Sequence, residues 1–393
     1  MDSHKATASI QQPACRFLVK VALDEPSQAH LVDIGAIEAV TEVMRQHRRT
    51  PDILKPACSL FRALVARSSA HDRMWQAGTV AVIVEAMREQ EAHETLQDQG
   101  CAVLLGLAAR PACAVQIVEA GAVEVILAAM QRHVTMSGMQ EHGCGALWNL
   151  AIEGENRARL VQAGAVPVII AAVSAHPRKV GIQELGCKAL LYLVTKAPSK
   201  GTPDDARAIG AVVAAMQEHP TVATIQEQGC RALEYHAAHR KLGLPVPDAR
   251  AIGLVVKAMG QHLQHTAIQQ YGCNALWHLA RKASAVERIL EKGALRLLLD
   301  MIQHHPTHVS VQERGCRTMG RLFADPATHG RLGESRGAEV VAEAMRQHPG
   351  HAELQRQGCT ALCCFAPALK DMVPQPVVQA VLAAMQQHPM HPE

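Results

Sequence analysis

The sequence predicts an all-helical repeat solenoid, on three observations. Cysteine recurs at Cys15, Cys58, Cys101, Cys144, Cys187, Cys230, Cys273, Cys316 and Cys359, nine positions each 43 residues after the last and with no insertion. A fixed period of about 20–50 residues kept over a chain marks supersecondary units stacked on their neighbours. The clearest copy is 140–151, QEHGCGALWNLA, and versions of it begin at Gln97, Gln183, Gln226, Gln269, Gln312 and Gln355. Hydrophobic residues make up 48% of the chain and aromatics only 3%, so the core must be built from Ala, Val, Leu, Ile, Met and Cys, which suits closely packed helices without strands. One array over residues 1–393 is expected, although the length alone would suggest two or three globular domains.

Each copy reads as three helices, with repeat four as the template. Residues 155–164 (ENRARLVQAG) form a short amphipathic run closed by Gly164, suited to a helix C-cap. Residues 166–175 carry an apolar run that stops at His176-Pro177, because proline disfavours helical geometry in the residue before it. The third and longest helix, about 179–196, places Ile182, Cys187, Leu190, Leu193 and Val194 on one stripe. Met44, Met87, Met130, Met216, Met259 and Met345 share one position near the end of helix two and read as gap-filling core residues. His47, His133, His176, His219, His262, His305 and His348 follow them, often before proline, where a histidine can bond free helix-end carbonyls. Gln stands four residues before the cysteine in eight of nine copies, Leu54 being the exception, and this position lies on the core stripe. A buried amide left unpaired costs about 1–3 kcal/mol, so each is predicted to bond backbone in an adjacent loop.

Two repeats depart from the template. Residues 197–205 and 241–248 contain Pro198, Pro203, Pro245 and Pro247, so loops are expected in place of the first helix, with Asp204 or Asp205 and Asp248 capping an early helix two. These loops are expected to be less ordered than the first helices elsewhere. The chain opens almost directly in a third helix and ends after a second one, without polar capping repeats. Partner contact, self-association through the uncapped ends or a truncated chain is the expectation.

Several function classes find little support. Twelve cysteines invite a disulfide framework, but equivalent positions on stacked helices lie about 8–10 Å apart, beyond the ~7 Å between Cα atoms that a disulfide spans. Reduced, buried thiols are expected instead, with a cytoplasmic location, or a nuclear one. The formal charge of +3 gives no strong pull toward nucleic acid or membrane, the first residues lack an apolar leader, and no run approaches the ~20 residues of a membrane span. No metal and no cofactor are expected: histidines one repeat apart cannot converge on one ion, and His236 with His239, or His304 with His308, are only local pairs. Residues 333–337 match the G-x-S-x-G pattern of hydrolases, but that elbow needs a strand before it. The adjacent Cys363 and Cys364 read as packing rather than as a redox pair, and an enzyme is not expected.

Three helices per 43 residues, the GAVPVII run at 164–170 and the CGALWNLA run at 144–151 resemble an armadillo repeat protein over essentially the whole chain, with Gly-Cys where Ala-Ala is more usual. The resemblance implies a right-handed superhelix of about nine repeats whose third helices line a concave groove. It implies as default function a non-catalytic scaffold that binds an extended peptide or partner protein there. Import adaptors of that family read peptide with a Trp-x-x-x-Asn pair; the matching positions here are Gly145 and Asn149, and Asn recurs at that second position in no other copy.

At about 100° per residue, positions one and five after the cysteine point away from the core stripe. In the second half these are Lys188 and Tyr192, Arg231 and Tyr235, Asn274 and His278, Arg317 and Arg321, the candidate partner-binding residues. Cationic and aromatic groups one turn apart suit an acidic or phosphorylated segment. The bland alternative is a solvated helix face, because Glu184 with Lys188, Glu227 with Arg231 and Glu313 with Arg317 stand at i,i+4. A nucleic-acid-binding solenoid using the same basic face is the second reading, but Tyr192, Tyr235 and Asn274 break the stripe that it needs. Trp148 and Trp277, four residues after their cysteines, are expected to pack at the groove flank.

Overall fold

The computed structural model describes residues 8–195, 202–239, 248–329, 336–369 and 373–388. Among these residues every regular element is helical and no strand forms. The chain divides into two compact units, Met1–Ala211 and Val212–Glu393. In the first, the third helices Ala8–Val21, Pro51–Leu64, Glu94–Ala108, Ser137–Ile152 and Val180–Thr195 each pack on the next. In the second, Ala223–Ala238, Thr266–Leu279, Val309–Leu322 and Ala352–Leu369 do the same.

The break between helices one and two is a glycine with left-handed backbone: Gly35, Gly78, Gly121, Gly164 and Gly293 have φ between 71° and 85°. Two irregular repeats carry Arg207 and Arg250 at that position. A side chain disfavours the left-handed region, and there the chain runs straight through as Pro203–Glu218 and Asp248–Gln261. Thr202 and Asp205 start the former reciprocally: Asp205 N–H donates to Thr202 Oγ1 at 3.2 Å and Thr202 N–H to Asp205 Oδ2 at 3.0 Å. The N-cap is therefore Thr202, with Asp205 as its return partner, rather than Asp204 or Asp205. Of the less ordered loops expected at 197–205 and 241–248, residues 203–205 and 248 are already helical, while 197–201 and 241–247 lie outside the described residues, as does the 333–335 part of the G-x-S-x-G match.

The glutamines behave as the sequence demands. Nε2 of Gln97, Gln140, Gln183, Gln226, Gln269, Gln312 and Gln355 each donates to two carbonyls at 2.7–3.0 Å, one in the last turn of helix two and one at the residue that ends it. Gln183, for example, bridges Val173 O and His176 O. Each amide ties the frayed end of one helix to the start of the next.

The histidines act between repeats rather than on their own helix. His133, His176, His262, His305, His348 and His388 bond through Nε2, at 2.6–2.8 Å, to a carbonyl in the corresponding turn of the preceding repeat: Glu91, Val134, Pro220, Leu263, Pro306 and Pro349. A carbonyl only accepts, so the proton sits on Nε2.

Gly-Cys in place of Ala-Ala has a steric cause. A Cβ at Gly100, Gly143, Gly229, Gly272 or Gly358 would lie 2.4–2.6 Å from the sulfur of Met87, Met130, Met216, Met259 or Met345. Methionine and glycine are therefore a matched pair. Cys15, Cys58, Cys101, Cys144, Cys187, Cys230, Cys273 and Cys316 are buried and unbonded, but Cys359 is only half-buried, against the expectation for the whole lattice. Burial pushes Cys58, Cys101, Cys144, Cys187, Cys273 and Cys316 up to about 12, so these thiols are inert at neutral pH.

Two predictions follow from the packing. Gln183→Leu keeps the bulk but strips two carbonyls of their donor, and should destabilise the protein by about 1–3 kcal/mol in urea unfolding. Gly143→Ala should cost about 1–3 kcal/mol by overpacking, and should cost less in a Met130→Ala background, giving a coupling of about 0.5–3 kcal/mol in a double-mutant cycle.

Candidate functional site

The third-helix face of the second unit gathers the polar chemistry. A chain of hydrogen bonds crosses three neighbouring helices: Asn274 Nδ2 donates to Glu234 Oε1 at 2.8 Å, and Arg317 Nη2 donates to Asn274 Oδ1 at 2.6 Å. Third helices pack close enough that side chains one position after the cysteine meet their counterparts one helix away. Arg317 thus turns to Asn274 rather than to Glu313, and its guanidinium lies 4.7 Å from the Trp277 ring centre, a cation–π contact. Its buried Nε has no acceptor within the protein. Burial holds the Glu234 carboxyl above its ordinary range, and the Asn274 bond with Arg314, Arg231 and Arg317 nearby only partly offsets this.

Beside this network opens a cleft of about 440 Å³ across the helices Thr266–Leu279, Val309–Leu322 and Ala352–Leu369. Its lining includes Trp277, Arg317, Arg321, Arg356 and Glu353. Three guanidiniums against one carboxylate leave two positive charges there. Arg321 spends Nε on Ala280 O at 2.9 Å, at the end of the helix before it, and is otherwise exposed. Arg356 grips Glu353 by a fork, Nε to Oε2 at 2.9 Å and Nη2 to Oε1 at 2.6 Å. One edge of this site is an apolar aromatic face and the rest is donor-rich, an arrangement that suits an anionic chain bearing apolar groups.

The predicted row is only partly a surface. Tyr235 and Asn274 are buried, at 7% and 9% exposure, so neither faces a partner as expected; Tyr235 stacks on His239 at 4.2 Å and Asn274 is a cross-helix link. Arg231, His278 and Arg317 are half-buried, and only Arg321 of that row is exposed. Lys188 and Tyr192 belong to the first unit, where Lys188 lies 4.8 Å from the Trp148 ring centre and Arg157 lies 6.0 Å from that of Tyr192. Both tryptophans therefore pack as expected, each under the basic residue of the following repeat. The sequence reading missed Arg356 and Glu353. The signal was present: Arg356 occupies the position where Glu184, Glu227 and Glu313 stand, a reversal of charge. Among the described residues no group of three or more His, Cys, Asp or Glu side chains could hold a metal ion.

His278, beside Trp277, reports on the field. Burial first, then the charges of Arg281, Arg317 and His239, hold its imidazole below the ordinary histidine value. Its NMR titration midpoint should fall below about 6.5, rise in Arg281→Gln, and rise when an anion occupies the cleft.

No protein-family model matches the chain, and no curated protein matches it. Solved structures do. An engineered protein from the Northeast Structural Genomics Consortium aligns over 96% of this chain and 94% of its own, at 20% identity and a TM-score of 0.63. A structure described as "A conserved phosphorylation switch controls the interaction between cadherin and beta-catenin in vitro and in vivo" aligns over 98% of this chain and 71% of its own, at 12% identity and a TM-score of 0.74. At these identities the likeness establishes the fold, an all-helical repeat solenoid.

Proposed function

We propose that this protein is a non-catalytic interaction scaffold of the armadillo type, acting inside the cell, that binds an extended acidic segment of a partner protein on the third-helix face of its second unit. The observation that carries this reading is the cleft with Arg317, Arg321 and Arg356 beside Trp277, where two positive charges are left over. Guanidiniums pair with carboxylates and phosphates in a planar, two-toothed way, and Trp277 carries one of them, Arg317, on its ring. A cleft spread over three parallel helices about 8–10 Å apart matches an extended chain, which rises ~3.3 Å per residue and so meets each helix every two to three residues. The fold-level neighbour whose described subject is the cadherin–beta-catenin interaction and its phosphorylation switch supports a protein partner.

The test is fluorescence anisotropy with acidic, phosphorylated and neutral peptides, and with single-stranded RNA as a competitor. Arg321→Ala with Arg356→Ala should weaken acidic-peptide binding by about tenfold or more, roughly 1.4 kcal/mol, as loss of charge-assisted hydrogen bonds requires. Helicity should not change, because exposed pairs contribute little to stability. Unchanged affinity in that variant removes the cleft from the site, and tighter, steeply salt-dependent binding of RNA moves the reading to nucleic acid.

A further inference from the structure

The cleft already contains an anion of its own. Glu353 presents both carboxylate oxygens to Arg356 and accepts a third hydrogen bond from Gln357 Nε2 at 2.7 Å. It lines the same cleft as Arg317, and the charge of Arg317 reaches it. This fork is how a guanidinium would hold a carboxylate supplied by a partner. The pair is half-exposed, at 43% for Glu353 and 50% for Arg356, so nothing buries it against exchange.

Resting on the partner-binding reading above, we propose that Glu353 is the specificity-determining residue of this site: it stands in for a partner carboxylate on Arg356 and thereby selects segments that bring paired negative charge. The physics is one of exchange. A lone carboxylate that takes Arg356 replaces like with like and leaves the displaced Glu353 beside it as a repelling like charge. A lone carboxylate that goes instead to Arg317 or Arg321 meets the Glu353 charge across the cleft. Two adjacent carboxylates, or one phosphoryl dianion, engage Arg356 together with Arg317 and Arg321, so the gain exceeds what is displaced. Bonds from Arg356 and Gln357 keep the Glu353 carboxyl below its ordinary range, so the competitor remains charged through the neutral region.

The experiment measures a preference ratio on the full chain. Four fluorescent peptides of otherwise neutral sequence carry no charge, one Glu, two adjacent Glu, or one phosphoserine, and each is titrated into wild type, Glu353→Gln and Glu313→Gln. Glu313 lies on a neighbouring third helix but does not line the cleft, so it controls for the general field of a lost carboxylate. In wild type the doubly charged peptides should bind about tenfold more tightly than the single-Glu peptide, and in Glu353→Gln that ratio should fall to about threefold or less, because the single carboxylate no longer competes with a resident carboxylate for Arg356. Glu313→Gln should leave the ratio as in wild type. The phosphoserine and double-Glu arms tell which source of paired charge is preferred, and either order supports the proposal. An unchanged ratio in Glu353→Gln, or an equal change in Glu313→Gln, overturns the proposal and leaves the binding site standing. Failure of wild type and Glu353→Gln alike to bind any charged peptide better than the neutral one overturns both.

Discussion

The buried glutamine four residues before each lattice cysteine is the contact on which the repeat depends. The last carbonyls of helix two have no partner within their own helix, and the following turn takes them away from water. One amide nitrogen donates to two of them at once, as Gln183 does to Val173 and His176. Because that amide sits in the first turn of helix three, the same two bonds fix the angle and register at which helix three leaves the turn. The acceptor ends of Gln269 and Gln312 have no protein partner, so the donor side of the amide carries the role. The histidines extend the device from one repeat to the next: Nε2 of His305 reaches the Leu263 carbonyl, and the turn that glutamine closes is also the turn that histidine fastens.

Packing in the core follows from that geometry. With helices two and three held at a fixed turn, the methionine near the end of helix two meets helix three at the residue before the cysteine. Glycine there lets the methionine lie directly against the helix, and a Cβ would force the thioether to move, as the Gly143–Met130 approach shows. Gly320 goes further, since a Cβ there would stand 3.2 Å from the Ala361 Cα, so two third helices touch almost backbone to backbone. Close approach of this kind brings side chains on adjacent third helices into hydrogen-bond range, and the cross-helix link from Arg317 through Asn274 to Glu234 is its consequence.

That link explains why the candidate site is smaller than the row of polar positions. A half-buried network is worth having only if its members satisfy one another, and Asn274 is spent in doing so, as an acceptor for Arg317 and a donor to Glu234. Arg317 contributes to both worlds, with one nitrogen in the network and its Nε unpartnered beside the cleft. The net positive charge therefore collects where the third helices carry more guanidinium than carboxylate, around Arg321 and Arg356.

The sequence by itself determined the repeat. A period of 43 residues, the glycine before helix two, the histidine after it and the Gln-x-x-Gly-Cys start of helix three are local rules. Each is visible in one copy and confirmed by the next, so the helices, the buried cysteines and the need of each glutamine for a backbone partner could be read directly. The departure of two repeats from the template was legible in their prolines, but that the chain there runs on as one helix was not. The direction of side chains on the third-helix face was not. Helical spacing says that Tyr235, Asn274 and Arg321 leave the core stripe, but not that the first two are buried and the third exposed, nor that Asn274 links two neighbouring helices. That outcome rests on distances between residues about 40 positions apart, and only the tertiary structure supplies them. The same holds for Glu353 on Arg356, where spacing permits an ion pair, but its meaning comes from Arg317, Arg321 and Trp277, which neighbouring helices bring to the same cleft.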